Sequence, residues 1–200
     1  MLRGLYTAAS GMLVQTAKTD MLSNNLANVD TAGFQRQTPH VYSFPEMLIS
    51  RVHNGTSTPV GTLGTGAVVD GDRSSFMPGA IKNTSNPLDT ALVGPGFFAI
   101  ETPDGPRYTR DGRFVINPSG FLVTHDGNRV RGENGPIVIS GEQVVIDDSG
   151  QVFVDGQYGD KLLIVEFNER EGLLRRGANL YEATPEAGQP FRYTDTTVVQ

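Results

Sequence analysis

The sequence predicts a mainly β protein, with an N-terminal helix of coiled-coil type, an extended linker and a small barrel- or sandwich-like domain of hairpins. Three observations carry that reading. Apolar positions recur at alternating steps of three and four over the first thirty-odd residues, a Gly/Thr/Pro-rich stretch follows, and from Val68 onward short apolar runs alternate with turn sequences. The boundaries are 1–33 for the helix, 34–67 for the linker with a short helical patch, and 68–200 for the β domain.

The helix rests on its periodicity. The stepping reads Leu5, Ala8, Met12, Gln15, Thr19, Leu22, Leu26 and Val29, of which six are apolar. A seam repeating about every 3.5 residues is what one helix needs to lie along another. So thin a stripe is marginal in water and needs a partner. That partner is either the helix's own domain or another helix, and periodicity does not choose between them. Asn24, Asn25 and Asn28, followed by Asp30, Thr31 and Gly33, supply stop and turn chemistry, with Asn28 and Gly33 best suited to a left-handed backbone.

After Phe34 a short apolar patch runs from Phe44 through Val52. With Pro45 in its first turn, Met47-Leu48-Ile49 and Val52 suit two helical turns. Asn54 to Ala67, NGTSTPVGTLGTGA, reads as a linker or surface loop. Its GTLGTG has the wrong glycine order for a dinucleotide fingerprint, and no Lys or helical run follows as a P-loop requires.

The β assignment rests on runs such as ALV, FFAIET, RYTR, RFVI, FLVT, QVVID, QVFVD and KLLIVEF. Asp104-Gly105, Asp111-Gly112, Asn117-Pro118-Ser119-Gly120, Asp126-Gly127 and Ser149-Gly150 separate them, and several suit tight hairpins with positive φ at glycine. Such close spacing predicts a meander of hairpins rather than βαβ units. Phe97, Phe98, Tyr108, Phe114 and Phe121 are the expected aromatic core. Arg107, Arg110 and Arg113 alternate around Asp104 and Asp111. One reading makes them cross-strand ion pairs on a solvated face; the other has them meet acidic patches on neighbouring subunits and set register.

Composition excludes several functions. Net charge is −6 with Lys and Arg scattered, which argues against nucleic acid or an anionic membrane as the main partner. Without cysteine there is neither a disulfide frame nor a Cys-based metal site. No apolar run approaches the roughly 18–20 residues of a membrane span, and the N-terminus lacks the apolar core and cleavage site of a secretory signal. His40, His53 and His125 are dispersed, against zinc. Asp147-Asp148-Ser149-Gly150 and Asp70-Gly71-Asp72 lack the ligand pattern of a calcium loop and read as acidic turns. No GxSxG elbow is present. The expectation is no enzyme, no cofactor and no metal.

Two stretches carry a resemblance. LYTAASGM with SNNLANVDTAGFQRQ near the N-terminus, and LDTALVGPGFFAIETPDGPRYTRDGRFVINPSGFLVTHDG from Leu88 to Gly127, resemble the bacterial flagellar rod and hook protein family. The rod proteins are the nearer branch, because the chain is short and lacks a large inserted outer domain. The resemblance implies a structural subunit of the flagellar basal-body rod that self-assembles into the axial drive shaft carrying torque from motor to hook. Its partners would be copies of itself, other flagellar rod and hook proteins, and the flagellar export apparatus. Composition alone implies a cytoplasmic protein; the resemblance instead implies export to the cell envelope without a cleaved signal peptide.

The expected assembly interface is Leu5, Ala8, Met12, Leu22, Asn24, Asn25, Leu26, Asn28 and Val29, with Arg107, Arg110, Asp111 and Arg113 as candidate inter-subunit contacts and Asn24 to Gly33 as a joint. Family members continue into a Gly-Xaa-Leu-Glu phrase and a long C-terminal helix; this sequence ends in GQPFRYTDTTVVQ, and truncation is the expected reason. The alternative reading is a soluble extracytoplasmic β-domain binding module, for instance for envelope glycans, with the helix packed in cis.

Overall fold

The computed structural model describes residues 2–77, 79–141, 143–177, 179–193 and 197–199. The Asp72 side chain and residues 194–196 and 200 of the final stretch lie outside that description. Asp70-Gly71-Asp72, expected as an acidic turn, lies instead within a strand (Ala67–Ser75), where Gly71 has φ 76° at a shift of register. The chain divides into two compact units, one of Met1–Val29 with Arg36–Ser75, the other of Asp30–Gln35 with Phe76–Gln200.

In the first unit, helix α1 (Leu2–Ala27) contacts an antiparallel pair of strands, β1 (Arg36–Ser43) and β4 (Ala67–Ser75). The helix ends by back-bonding: the backbone N–H and the Nδ2 of Asn28 both donate to the Asn24 carbonyl, at 3.2 and 2.8 Å. Asn28 is therefore not a left-handed stop. Among the described non-glycine residues that conformation falls to Asn54, Asp155 and Asn179.

Strands β2 (Met47–His53) and β3 (Thr56–Leu63) form a separate antiparallel hairpin between β1 and β4. This corrects the expectation of two helical turns over Phe44–Val52 followed by a loop from Asn54. Asn54 and Gly55 adopt φ of 49° and 77°. That is the two-residue turn whose twist matches a hairpin, and the β-branched Ile49, Val52, Thr56, Thr58 and Val60 favour extended backbone on either side.

The second unit is β apart from one 3-10 turn at Arg170–Gly172 among the described residues. Its largest sheet contains β6 (Phe97–Thr102), β7 (Gly105–Thr109), β8 (Phe114–Ile116), β9 (Leu122–Thr124), β10 (Arg129–Val130), β14 (Ile164–Glu166), β15 (Leu173–Arg175), β16 (Leu180–Ala183) and β17 (Phe191–Arg192). Its main path runs β15-β16-β7-β6-β10-β9-β8 and does not close, while β14 bridges β6 to β17. A ladder of β11 (Val144–Ile146), β12 (Gln151–Val154) and β13 (Gln157–Lys161), and a pair of β5 (Ala91–Val93) with β18 (Thr197–Val199), complete a sandwich-like arrangement.

Strand β6 is the centre of that unit. Phe97 and Ala99 pack with Tyr108, Val165, Phe167 and Tyr181. Phe98 and Ile100 lie in the other core, with Phe114, Leu122, Val130 and Ile164. A strand covered on both faces reads as an unbroken apolar run, which is why FFAI does not alternate. Phe121 departs from the expected core: it is half-buried with the Arg129 guanidinium 4.4 Å above its ring. The turns at Gly105, Gly120, Gly127 and Gly150 all have positive φ. Asp111-Gly112 is not one of them. A Cβ on Gly112 would lie 1.8 Å from the Thr90 carbonyl oxygen, so glycine is needed there for close backbone approach.

Candidate functional site

The helix α1 has two unlike faces. Val14 is buried, and Ser10, Ala17, Met21 and Asn25 beside it are half-buried on the side that meets β1 and β4. Leu5, Met12, Leu22, Leu26 and Val29 are 64–71% exposed, and Ala8 is exposed with them. At 100° per residue the exposed stripe lies roughly 140° around the helix from the covered face. The covered face uses small residues for close approach: a Cβ on Gly66 would meet the Ser10 Oγ at 2.6 Å. Between Gly4 and Val29 the charged residues are Lys18 and Asp20, so the exposed stripe is nearly uncharged.

The asparagines expected alongside that stripe divide. Asn24 and Asn28 form the helix terminus described above. Asn25 faces the strands, where its Nδ2 donates to the Gln37 carbonyl at 2.8 Å and its Oδ1 accepts from the Gln37 N–H at 3.0 Å. The amide thus behaves as one more rung of a β ladder, fixing the last turn of α1 to the start of β1.

The arginines all have partners within the chain. Arg107 pairs with Glu182 at 3.0 Å. Arg110 donates to the carbonyls of Gly94 at 2.6 Å and Gly96 at 3.2 Å, and lies 5.1 Å from the Phe97 ring centroid; burial pulls its guanidinium below its ordinary pKa, and Arg170 adds to the effect. Arg113 forks onto Asp111 at 3.0 and 2.7 Å, and that hydrogen bonding raises its pKa. Of the three, Arg113 is half exposed and Arg107 largely shielded.

Asn179 was not singled out by the sequence reading, yet it gathers a network. It is buried with φ 55°. Its Nδ2 donates to the Ala32 carbonyl at 3.1 Å, its Oδ1 accepts from Arg175 at 3.1 Å, and its carbonyl accepts from the Thr109 hydroxyl at 2.9 Å. The Arg175 guanidinium lies 4.7 Å above the Phe34 ring. The available signal is an asparagine two residues after Gly177 in a turn, since asparagine tolerates the left-handed conformation.

Among the described residues, no three His, Asp or Glu side chains converge as metal ligands, and no helix is long and apolar enough to cross a membrane.

Comparison with known proteins places these features. Residues 5–35 match the description "Flagella basal body rod protein", and residues 91–154 match "Flagellar hook protein FlgE/F/G D1 domain". The chain is 33% identical to flagellar basal-body rod protein FlgG of Bacillus subtilis, over 94% of this chain and 76% of the relative. The FlgG of Borreliella burgdorferi is 34% identical over the same shares. The flagellar hook-basal body complex protein FlhO of Bacillus subtilis is 31% identical over 90% of this chain and 74% of the relative. The chain belongs to the flagellar basal-body rod protein family.

The two segments that mark this rod-protein family are far apart in sequence and touch in the fold. A Cβ on Gly33 would lie 2.4 Å from the Asp111 backbone nitrogen, and Gly33 has φ 68°. Side-chain volume and backbone handedness both exclude other residues there. The Asp-Thr-Ala-Gly-Phe stretch is thus held on the Arg110-Asp111 turn by Gly33, on Asn179 through Ala32, and under Arg175 through Phe34.

Proposed function

We propose that this chain is a structural subunit of the bacterial flagellar basal-body rod, building with copies of itself and other rod and hook proteins the shaft that carries torque from motor to hook. One observation carries the proposal: α1 packs on its own strands through one face while an uncharged apolar stripe on another face stays in water. Burying each of its leucines contributes about 1.5–3 kcal/mol, so a helix that already holds its shape in cis still has a strong drive to meet a second surface. A contact made head to tail and repeated around an axis without closing gives a helical tube. In this reading Leu5, Ala8, Met12, Leu22, Leu26 and Val29 meet neighbouring subunits, Asn24, Asn25 and Asn28 position the stripe, and Arg113 and Asp111 add a charged contact at the rim. The subunit performs no catalysis and needs no cofactor. It works outside the cytoplasm, in the cell envelope, and leaves through the flagellar export apparatus without a cleaved signal peptide.

The test replaces Leu22 and Leu26 together with Asp. Four residues apart, they share one helix face, and a buried unpaired carboxylate adds its own penalty to the lost apolar contact. The expected result is loss of rod assembly and motility with little change in the melting of the isolated chain. Motile cells, or a monomer that unfolds much earlier than its parent, would overturn the reading.

A further inference from the structure

We propose that Asn54, at the tip of the β2–β3 hairpin, is a self-modification site whose side-chain amide converts to aspartate and isoaspartate through a cyclic imide. The reaction is fastest at an asparagine followed by a residue without Cβ, where the next backbone nitrogen approaches the side-chain carbonyl carbon most freely. The chain has two such pairs, Asn54-Gly55 and Asn134-Gly135. The Gly55 nitrogen gives its proton to hydroxide and forms a bond to Cγ of Asn54. The Cγ–Nδ2 bond breaks, and Nδ2 takes up a proton from water and leaves as ammonia. Water then adds to either carbonyl of the five-membered ring, giving aspartate or an isoaspartate in which the main chain runs through the side chain. No electrons are transferred, and water and base are the only co-reactants.

The structure treats the two pairs differently. Every residue of β2 and β3 is exposed, as are Asn54 and Gly55, and among the described residues the two strands pair only with each other. An isolated two-stranded ribbon is marginal in water and opens locally, which lets the Gly55 peptide rotate toward the side chain. Asn134 is held: its Nδ2 donates to Asp160 Oδ1 at 2.9 Å, its N–H faces Asp160 Oδ2 at 3.4 Å, and the Gly132 N–H donates to the Gly135 carbonyl at 2.6 Å. A charge-assisted hydrogen bond on the leaving amide resists both rotation and attack. Isoaspartate at position 54 adds a methylene to the main chain, which the two-residue turn between His53 and Thr56 has no room for, so the modified hairpin loses its register.

The test ages the full chain at mildly alkaline pH and follows two tryptic peptides by mass spectrometry. Residues 52–73 and 132–161 each contain a single asparagine, Asn54 and Asn134. Asn54 is expected to convert about tenfold faster than Asn134, the factor one hydrogen bond to a charged group provides. An isoaspartyl methyltransferase should label the 52–73 peptide at position 54, as fragmentation locates it, and not only at Asp70, which also precedes a glycine. A Gly55→Ala variant, whose added Cβ meets no neighbour within 4 Å but strains the left-handed backbone at φ 77°, should suppress the conversion even though that strain loosens the turn. Conversion at Asn54 no faster than at Asn134, or an unchanged rate in Gly55→Ala, would overturn the assignment.

Discussion

In the unit built on β6, Phe97, Phe98, Phe114, Phe167 and Tyr181 are shut away from water, whereas in the unit built on α1, Leu22, Leu26, Leu48 and Val52 each stay more than two-thirds exposed. Val14 is the one buried apolar side chain among the described residues of the helical unit. Both units contain apolar residues at regular spacing, so the difference lies in where the partners come from. The β unit supplies its own through long-range strand pairing and two cores sharing one central strand. The helical unit ties its helix to its strands in cis, with the Asn25–Gln37 amide pair as a clasp, and leaves its largest apolar side chains exposed to water. On the proposed reading the first folds alone, and the stability of the second is completed by assembly.

The largest expected effect tests that contrast directly. Phe98→Ala should cost the β unit about 3–5 kcal/mol, through lost transfer free energy and the cavity left behind. Leu48→Ala in the β2–β3 hairpin should stay within about 0.5 kcal/mol in the isolated chain, as exposed substitutions do. Calorimetry on both variants decides, and a Leu48→Ala cost approaching that of Phe98→Ala would break the comparison.

A smaller effect separates residues 30–35 from the helix before them. A chain starting at residue 30 should keep the melting of the β unit, while one starting at residue 36 should lose about 1–3 kcal/mol. It gives up the Ala32–Asn179 hydrogen bond and the Phe34–Arg175 stacking. Equal melting of the two truncated chains would show that the segment contributes nothing to the unit. Asn179→Gly probes the other side of that contact. Glycine keeps the left-handed backbone and removes only the side-chain bonds, so about 1–2 kcal/mol should be lost in denaturant titration.

The smallest effect is electrostatic and depends on pH. The hydrogen bond from Arg176 holds the Glu182 carboxyl below its ordinary pKa, with Arg107 adding to it. A carboxyl whose folded pKa is depressed contributes stability above its unfolded value and loses it as pH falls through the folded value. The melting difference between parent and Glu182→Gln should therefore be present at neutral pH, shrink through the acidic range, and weaken with salt, because the group lies at the surface. A difference that grows on acidification would contradict the sign.

What the sequence determined by itself was local. The helical stripe, the asparagine-rich helix end, the turns at Gly105, Gly120, Gly127 and Gly150 and the FFAIET strand follow from periodicity and turn chemistry within a few residues of each other. The Asn54-Gly55 turn was equally local, but the surrounding Gly, Thr and Pro made a hairpin look like a loop. Tertiary structure decided the rest. It selected which face of α1 is covered, placed Arg107, Arg110 and Arg113 on partners within the chain, and seated Ala32 on Asn179, 147 positions away. These outcomes depend on free energies shared between distant segments. A periodic pattern shows that a face seeks a partner, while the competing pairings available in the folded chain determine which partner it finds.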